Sequence, residues 1–313
     1  MSSNCEVVVL MSTYNGKKYI EEQLLSIIEQ DYAGCVNVYI RDDGSNDNIE
    51  QVIEDFKCKY ESNTRKIVFD SCLNVGVQKS FLHLIQTAPE AEFYFFADQD
   101  DVWKKDKISR AVSILKKSND DICVYCSDYT IVDNELNLVY EKQVLIDEKT
   151  FDPLRLLFFN TFPGCVMGFN NKMMHIVRNM NLSNCMMHDS MVLAVGAAIG
   201  TICYDDYSSI LHRIHNDNVV GYGHKKIKVM KWIKEKTRLL IKKESYNVSE
   251  IGEKLLNIPD IQIKDEYQSD IELLRDYKKS YRKTFRLLRH RDLKRKLDRE
   301  TLSIRCKVLF HIF

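Results

Sequence analysis

Four times in the first half of the chain, a short apolar run typical of a buried β-strand is followed by apolar residues at helical spacing. The strand-like runs are Glu6–Met11, Val36–Ile40, Lys66–Phe69 and Phe93–Ala97. The helical faces after them are Ile20–Ile28, Ile49–Phe56, Phe81–Ile85 and Ile108–Leu115. Strands joined through helices need crossover connections, so this alternation predicts an α/β fold with a mostly parallel, Rossmann-like sheet flanked by helices.

Polar side chains follow three of these predicted strands. The segments are Ser12–Gly16, Asp42–Ser45 and Asp98–Asp101. Ligands bind at the carboxyl edge of an open α/β sheet, so we expect the three segments to meet along one edge. The chain has no Gly-x-Gly-x-x-Gly and no P-loop motif, so a glycine-rich loop at a helix N-terminus is not expected to be the main phosphate-binding element.

The acidic segment Asp98–Asp101 follows the fourth strand directly. Three carboxylates this close repel one another unless a cation lies among them, and oxygen ligands of this kind suit Mg²⁺ or Mn²⁺. If the backbone stays extended, Asp98 and Asp100 project to one side and Asp101 to the other. The alternative is an acidic, solvated turn before a helix that begins near Trp103.

The cysteines and the longest uncharged run indicate in which cellular compartment the protein lies and whether it spans a membrane. Ten cysteines are scattered along 313 residues, and Met1–Tyr14 does not resemble a secretory signal, so we expect reduced thiols in a cytoplasm. Cys123 and Cys126 lack a second pair for a zinc site, and we expect them to be structural. The uncharged run Ser190–Tyr204 is shorter than the roughly 20 residues of a membrane span, so it predicts a buried helix.

Charge divides the chain into two predicted regions. Residues 223–313 carry 25 Lys and Arg against 13 Asp and Glu, whereas residues 1–222 carry 20 against 32. We expect a catalytic domain over 1–222 and a basic helical extension over 223–313, with amphipathic helices from Ile227 to Ile241 and from Ile271 to Leu288. Such helices either lie on an anionic membrane surface or pack on the catalytic domain. No nucleic-acid-binding motif is present.

Taken in order, the motifs Ser-Thr-Tyr-Asn-Gly, Asp-Asp-Gly-Ser, Asn-Val-Gly and Asp-Gln-Asp-Asp-Val-Trp resemble those of the family-2 inverting glycosyltransferases. The last motif resembles bacterial rhamnosyltransferase-like members in particular. The resemblance covers about residues 6–222. It implies a GT-A fold, a nucleotide-sugar donor and a divalent cation, Mn²⁺ or Mg²⁺.

The resemblance also implies roles at the donor site. Tyr14 would lie near the base, and Asp42 or Asp43 would accept a hydrogen bond from the pyrimidine N3–H. The alternative for Asp42 is a cap on the helix that follows. The implied donor-binding residues are Thr13, Tyr14, Asn15, Asp42, Asp43, Asn74, Asp98, Gln99, His188 and Arg213. Asp100 would bind the metal that bridges the diphosphate, with Asp101 as the alternative ligand.

The segment His188–Ser190 opens a predicted helix. In the resembling family a His-Asp or Glu-Asp pair lies here, and its Asp is the general base, so Asp189 is the implied catalytic residue. The alternative is a negative charge that only stabilises the helix start. Farther along, His215 is expected to reach the metal, whereas His212 is expected to be a surface residue.

The implied reaction is inverting, metal-dependent transfer of a sugar, best assigned as rhamnose from a dTDP donor, to a hydroxyl of a growing, lipid-linked bacterial surface polysaccharide. The alternatives are UDP-hexose or UDP-N-acetylhexosamine transfer and, more remotely, an inactive membrane-docking or scaffolding protein. A nucleotidyltransferase should have a glycine-rich basic loop after the first strand, and Ser12–Lys18 does not resemble one. We expect a cytoplasmic protein, peripheral on the inner face of the cell membrane.

Overall fold

The computed structural model describes residues 7–118, residues 122–215 apart from 143, 145, 148–149, 160 and 183–186, residues 248–290, and parts of 293–311. Within these residues, nine strands form one sheet. They are β1 (Val7–Thr13), β2 (Val36–Asp42), β3 (Arg65–Ser71), β4 (Phe93–Ala97), β5 (Val102–Trp103), β6 (Cys123–Val132), β7 (Leu138–Lys142), β8 (Met167–Asn170) and β9 (Thr201–Arg213).

Helices connect and cover these strands. In the catalytic region they are α1 (Ile20–Ile28), α2 (Ile49–Tyr60), α3 (Val77–Thr87), α4 (Lys107–Lys116), α5 (Pro153–Phe158), α6 (Asn171–Met180) and α7 (His188–Ile199). In the C-terminal region they are α8 (Val248–Leu256), α9 (Asp265–Asp276), α10 (Tyr281–Leu288) and α11 (Arg299–Leu309). None of the helices that the structure describes is long and apolar enough to cross a membrane.

The strand order is β3-β2-β1-β4-β8-β6-β9-β5, with β7 paired to β6 outside this path. Strands β3, β2, β1 and β4 are mutually parallel, as the alternation predicts. In the second half only β6 and β9 are parallel, whereas β8, β7 and β5 pair antiparallel to their neighbours. The predicted α/β fold is confirmed, and the sheet as a whole is mixed.

Strand β1 lies in the middle of the core, and its residues from Val7 to Met11 are fully buried. Helix α1 covers one face because Ile20, Leu24 and Ile27 recur at helical spacing and are also fully buried. Each such side chain contributes about 1.5–3 kcal/mol when it leaves water. This packing fixes the strand ends from which the polar segments extend.

The described part of the C-terminal region packs on the end of α7. Lys264 donates from its backbone N to Ala198 O (3.0 Å) and from its Nζ to Ala197 O (2.9 Å), at the end of α7. The predicted helix from Ile227 to Ile241 lies outside the described residues. The predicted single helix from Ile271 to Leu288 is wrong, because α9 and α10 are separate.

The break between α9 and α10 has a local cause. Ser280 is extended, and its Oγ accepts the N–H of Lys283 (3.3 Å), so it caps a new helix instead of continuing the old one. As a result Tyr281 and Phe285 face solvent, whereas Leu287 and Leu288 are buried.

Candidate functional site

The loops after β1, β2 and β4 are hydrogen-bonded to one another at the carboxyl edge of the sheet. The backbone N–H of Tyr14 donates to Gln99 Oε1 (2.9 Å), and Gln99 Nε2 donates back to Tyr14 O (3.1 Å). The backbone N–H of Asn15 donates to Ser45 Oγ (2.7 Å). The three polar segments therefore meet as predicted.

Gly16 has a packing reason to lack a side chain. A Cβ at Gly16 would lie 2.1 Å from Gln99 Oε1, so any larger residue would push Gln99 out of its contact with Tyr14. Tyr14 itself is about half exposed, and its ring is free to contact a ligand at this edge.

Asp42 is buried and holds two loops together. It accepts a hydrogen bond from Thr13 Oγ1 (3.0 Å) and another from the backbone N–H of Ser45 (2.9 Å). Helix α2 begins at Ile49 with Asn48 as its N-cap, so the interpretation of Asp42 as the cap of that helix is wrong. The nucleoside contacts of Thr13 and Asp42 stay predictions.

Asp43 is also buried, and it fixes the loop that precedes α3. Its carboxylate accepts from Arg41 (2.6 Å) and from the N–H groups of Val75 and Gly76 (2.8 Å each). Asn74 Nδ2 donates to the backbone oxygen of Asp43 (2.8 Å). Asp43 and Asn74 therefore organise the same corner of the site.

The acidic segment does not continue the strand. β4 ends at Ala97, and the turn that follows brings Asp98 together with Asp101 and directs Asp100 toward His215. The arrangement expected for an extended backbone, with Asp98 and Asp100 on one side, does not apply here, because side-chain alternation holds only while the backbone stays extended.

This crowding changes the proton affinity of the carboxylates. Burial, followed by the negative charges of Asp101 and Asp100, raises the pKa of Asp98 to about 8. Burial and the charge of Asp101 also raise the pKa of Asp100. Burial is the largest cause of both shifts and the neighbouring carboxylates add to it, and a cation nearby would lower both pKa values.

Asp101 is neutralised within the protein. Its Oδ1 lies 2.9 Å from His212 Nδ1 and accepts the N–H of Arg213 (3.2 Å). Burial opposes its ionisation, but the neighbouring His212 outweighs burial and lowers the pKa of Asp101. Burial disfavours charge on His212 too, yet Asp101 raises the pKa of His212 to about 9. The expectation of a surface His212 is wrong, since it forms this buried pair.

Asp100 and His215 form the second pair. Asp100 Oδ2 lies 2.7 Å from His215 Nε2, and both side chains keep a small exposed fraction. The His215 ring stacks on Tyr19, with centroids 5.0 Å apart. A carboxylate and an imidazole held side by side at the rim of the site suit Mn²⁺ or Mg²⁺, so these residues fit the implied cation.

Arg213 acts as an internal clamp. Its Nε donates to the backbone oxygen of Asp100 (2.9 Å), and its other nitrogens contact Glu22 and the backbone oxygen of Asn134. Its guanidinium also lies 4.9 Å from the centre of the Tyr19 ring. These contacts join α1, β9 and the β6–β7 turn around the acidic segment.

Asp189 lies in the first turn of α7 and is buried. Its Oδ2 accepts the N–H of Gly164 (3.0 Å), and its Oδ1 accepts the N–H of Ser190 (2.6 Å). A Cβ at Gly164 would lie 3.5 Å from Cβ of both Asp189 and Phe96, so Asp189 is adjacent to the end of β4. The charge of Asp189 also contributes to the raised pKa of Asp98, so its carboxylate acts on the acidic segment.

His188 does not point to solvent. Its ring stacks on Phe81 (centroids 3.7 Å apart) and meets Phe96 edge-on (4.6 Å), and neither ring nitrogen has a hydrogen-bond partner among the described residues. Burial lowers its pKa from 6.5 to about 4. His188 is thus a neutral, packed side chain behind Asp189.

This burial predicts an acid sensitivity of folding. Between pH 6.5 and 4 the unfolded chain binds a proton at His188 that the folded protein does not, so the free energy of unfolding falls as pH falls. At pH 5 the loss from this group is about 2 kcal/mol. Between pH 7.5 and 5, the free energy of unfolding measured with urea should fall by about 2 kcal/mol less in His188→Leu than in the wild type. If His188→Leu lost as much stability as the wild type over this pH range, His188 would not be the source of the acid sensitivity. His175→Gln is the control, because His175 is exposed.

Several residues around the site were not singled out as site residues by the sequence. Tyr19 and Glu22 lie on or next to α1 and contact His215 and Arg213, and Cys165 lies 3.9 Å from His212 Nδ1. Burial and the charges of Asp101 and Asp98 raise the pKa of the Cys165 thiol well above its ordinary value. No local motif marks these residues, because their partners come from distant parts of the chain.

The model of the glycosyl transferase family 2 domain matches residues 8–175, which is more than half of the chain. The chain is also 30% identical over 224 residues to the dTDP-rhamnosyl transferase RfbG of Shigella flexneri, covering 67% of this chain and 73% of that protein. The chain belongs to glycosyl transferase family 2.

TarS is a further relative by sequence, and two solved structures support the fold. TarS of Staphylococcus aureus, a poly(ribitol-phosphate) β-N-acetylglucosaminyltransferase, is 30% identical over 115 residues, which are 36% of this chain and 19% of TarS. A TarS structure with UDP-GlcNAc matches with a TM-score of 0.59 and 16% identity, covering 98% of this chain and 80% of that one. The mannosyltransferase PcManGT of Pyrobaculum calidifontis, solved with GDP-Man and Mn²⁺, matches with a TM-score of 0.55 and 14% identity, covering 98% and 74%.

The predicted GT-A fold is therefore confirmed, with C-terminal helices attached to it. The protein is a family 2 glycosyltransferase, an enzyme that transfers a sugar from a nucleotide-sugar donor.

Proposed function

We propose that this enzyme transfers a deoxyhexose, rhamnose, from a dTDP donor to a hydroxyl of a growing bacterial surface polysaccharide, with inversion at the anomeric carbon. The observation that carries the proposal is the position of Asp189, a buried carboxylate next to the end of β4 and to the acidic segment. A single displacement needs one base, and this arrangement offers one.

Asp189 accepts the proton of the acceptor hydroxyl as the hydroxyl oxygen bonds to the anomeric carbon and the nucleoside diphosphate departs from the opposite face. The N–H groups of Gly164 and Ser190 hold the carboxylate in a fixed orientation, so little rearrangement is needed at the moment of proton transfer. His188 packs behind it and keeps the start of α7 in place.

Asp100 and His215 would hold the divalent cation. When bound, the cation supplies a positive charge that stabilises the departing diphosphate. The protein holds the pair in position through Arg213, which donates to the backbone of Asp100, and through Tyr19, which stacks on His215. The dTDP moiety would bind along Thr13, Tyr14, Asn15, Asp42, Asp43, Asn74, Asp98 and Gln99, with Arg213 bordering its diphosphate end.

The similarity to RfbG favours rhamnose and deoxythymidine. It extends over 224 residues and most of both proteins, whereas the similarity to TarS is confined to 115 residues. UDP-N-acetylhexosamine is the second candidate donor, because TarS is named for transfer of that sugar and its structure was solved with UDP-GlcNAc.

We further propose a lipid-linked acceptor and a location at the cytoplasmic face of the membrane. The support is the outer face of α10, where Tyr281 and Phe285 are exposed beside three arginines. The arginines are Arg282, Arg286 and Arg289. Exposed aromatic and basic residues on one helix face suit an anionic lipid surface.

A thermal-shift panel tests the donor. We expect dTDP-rhamnose with Mn²⁺ to raise the apparent melting temperature more than any other nucleotide sugar, because a ligand that binds only the folded state stabilises it. At a donor concentration 100 times its Kd, the added stability is about 2.7 kcal/mol.

Two controls make the panel specific. dTDP-rhamnose with EDTA should give a smaller shift, and GDP-mannose should give none. A larger shift with UDP-GlcNAc than with dTDP-rhamnose would replace the proposed donor by the second candidate. The absence of any metal-dependent shift across the panel would contradict the proposal as a whole.

A further inference from the structure

Behind the Asp100–His215 pair, four side chains of different chemistry converge. They are Asp98, Asp101, Cys165 and His212, and one ligand atom of each lies within 4.8 Å of all the others. Two of the separations are 2.9 Å from Asp101 Oδ1 to His212 Nδ1 and 3.9 Å from Cys165 Sγ to His212 Nδ1. Ligand bonds of about 2.0–2.3 Å in a tetrahedron imply ligand separations of about 3.3–3.8 Å, so the four atoms need only small adjustments to share one ion.

An unsatisfied atom in this group also indicates a ligand. Asp101 is fully buried, and its Oδ2 has no hydrogen-bond partner among the residues that the structure describes. A buried polar atom left unpaired costs about 1–3 kcal/mol, and more when it carries charge. A cation at the centre of the cluster would satisfy this oxygen.

We propose that Asp98, Asp101, Cys165 and His212 form a Zn²⁺ site that is separate from the Asp100–His215 pair. A thiolate ligand favours Zn²⁺, whereas Mg²⁺ and Mn²⁺ prefer oxygen, so the Cys165 sulfur distinguishes this site from the Asp100–His215 pair. Binding releases the thiol proton of Cys165 and the proton between His212 and Asp101, because a ligand must present a lone pair to the metal.

Occupancy of the site would have a consequence for sugar transfer. Asp98 is half-buried, whereas Asp101 and Cys165 are fully buried, so Asp98 is the more exposed of these three ligands. Because Asp98 is also a predicted donor-binding residue, bound Zn²⁺ would withdraw it from the donor and inhibit transfer. This consequence rests on the proposed function, but the binding itself does not, and it is tested with the metal alone.

Cobalt absorption tests the site in the full-length, metal-free protein without any donor. Co²⁺ bound to a thiolate has a charge-transfer band in the near ultraviolet, and tetrahedral Co²⁺ has intense visible bands. We expect both in the wild type and their loss when Zn²⁺ is added. Cys165→Ser should lose the ultraviolet band. It should also bind Zn²⁺ at least about 100-fold more weakly, because loss of a residue that only supports a ligand already costs about 10- to 100-fold in metal affinity.

Cys203→Ser is the matched control. The Cys203 and Cys123 sulfurs lie 3.2 Å apart and are not part of the proposed site, so this variant removes one thiol of a separate pair and should keep the cobalt bands. No band in the wild type, a band retained in Cys165→Ser, or a band lost in Cys203→Ser would overturn the proposal.

X-ray absorption at the zinc edge needs no variant and covers the case in which Cys165→Ser fails to fold. We expect one sulfur at about 2.3 Å and three nitrogen or oxygen ligands at about 2.0–2.2 Å. A spectrum with no sulfur, or with two or more, would also overturn the site.

Discussion

Asp189→Asn should lower sugar transfer by about 10²–10⁴-fold while donor binding is preserved, because a positioned general base contributes about that factor. Asparagine has the size of aspartate, and its carbonyl oxygen can still accept the N–H of Gly164, although its amide nitrogen cannot accept the N–H of Ser190. What it loses is the ability to take a proton. Transfer is measured under saturating donor, and donor affinity by calorimetry with Mn²⁺.

The matched control is Asp205→Asn. Asp205 is also a buried aspartate, but it pairs with Arg110 and Tyr125 on a different part of the sheet. We expect this variant to transfer sugar at close to the wild-type rate per folded molecule. A comparable loss in both variants would mean that any buried aspartate is needed for folding, and not that Asp189 is the base.

The two measurements separate the roles of the residue. Loss of donor binding together with transfer in Asp189→Asn would count against a base and in favour of a donor contact. Asp189→Glu adds a graded test, because it keeps the carboxylate but moves it away from Gly164. We expect it to retain more transfer than Asp189→Asn, since proton transfer tolerates some displacement better than loss of the group.

The parts of the fold that the sequence predicts are those that depend on local patterns. Strands β1 to β4 appear as apolar runs, and the segments after them are recognisable because donors, acceptors and glycine follow an apolar run at once. Parallel pairing then places those segments at one edge without further information. This is why the neighbourhood of Tyr14, Asp42 and Gln99 was predictable.

The pairings within the site were not predictable in this way. His212 and Asp101 are 111 residues apart, and Arg213 and Glu22 are 191 residues apart. Which aspartate faces which histidine depends on a turn that begins one residue after Ala97, and periodicity does not describe turns. The sequence therefore predicts a surface position for His212, although it is the buried partner of Asp101.

Asp100→Asn should weaken Mn²⁺-dependent donor binding by at least about 100-fold, because loss of a group behind a metal ligand already costs about 10- to 100-fold and Asp100 is itself the proposed ligand. Asparagine can still hydrogen-bond His215, so the contact of 2.7 Å that positions the imidazole is kept while the negative charge is lost. His215→Gln should have an effect of similar size. Donor affinity is measured by calorimetry with Mn²⁺ and with EDTA, and His175→Gln is the control because that histidine is exposed and pairs with Glu90.

The double variant decides whether Asp100 and His215 act through one ion. If both hold the same cation, the first substitution already removes most of the metal-dependent binding, so the two losses should not add. In EDTA the wild type and all three variants should bind the donor with equal, weak affinity. Additive losses, or losses that persist in EDTA, would mean that the residues contact the donor directly, and Asp100 would no longer be a metal ligand.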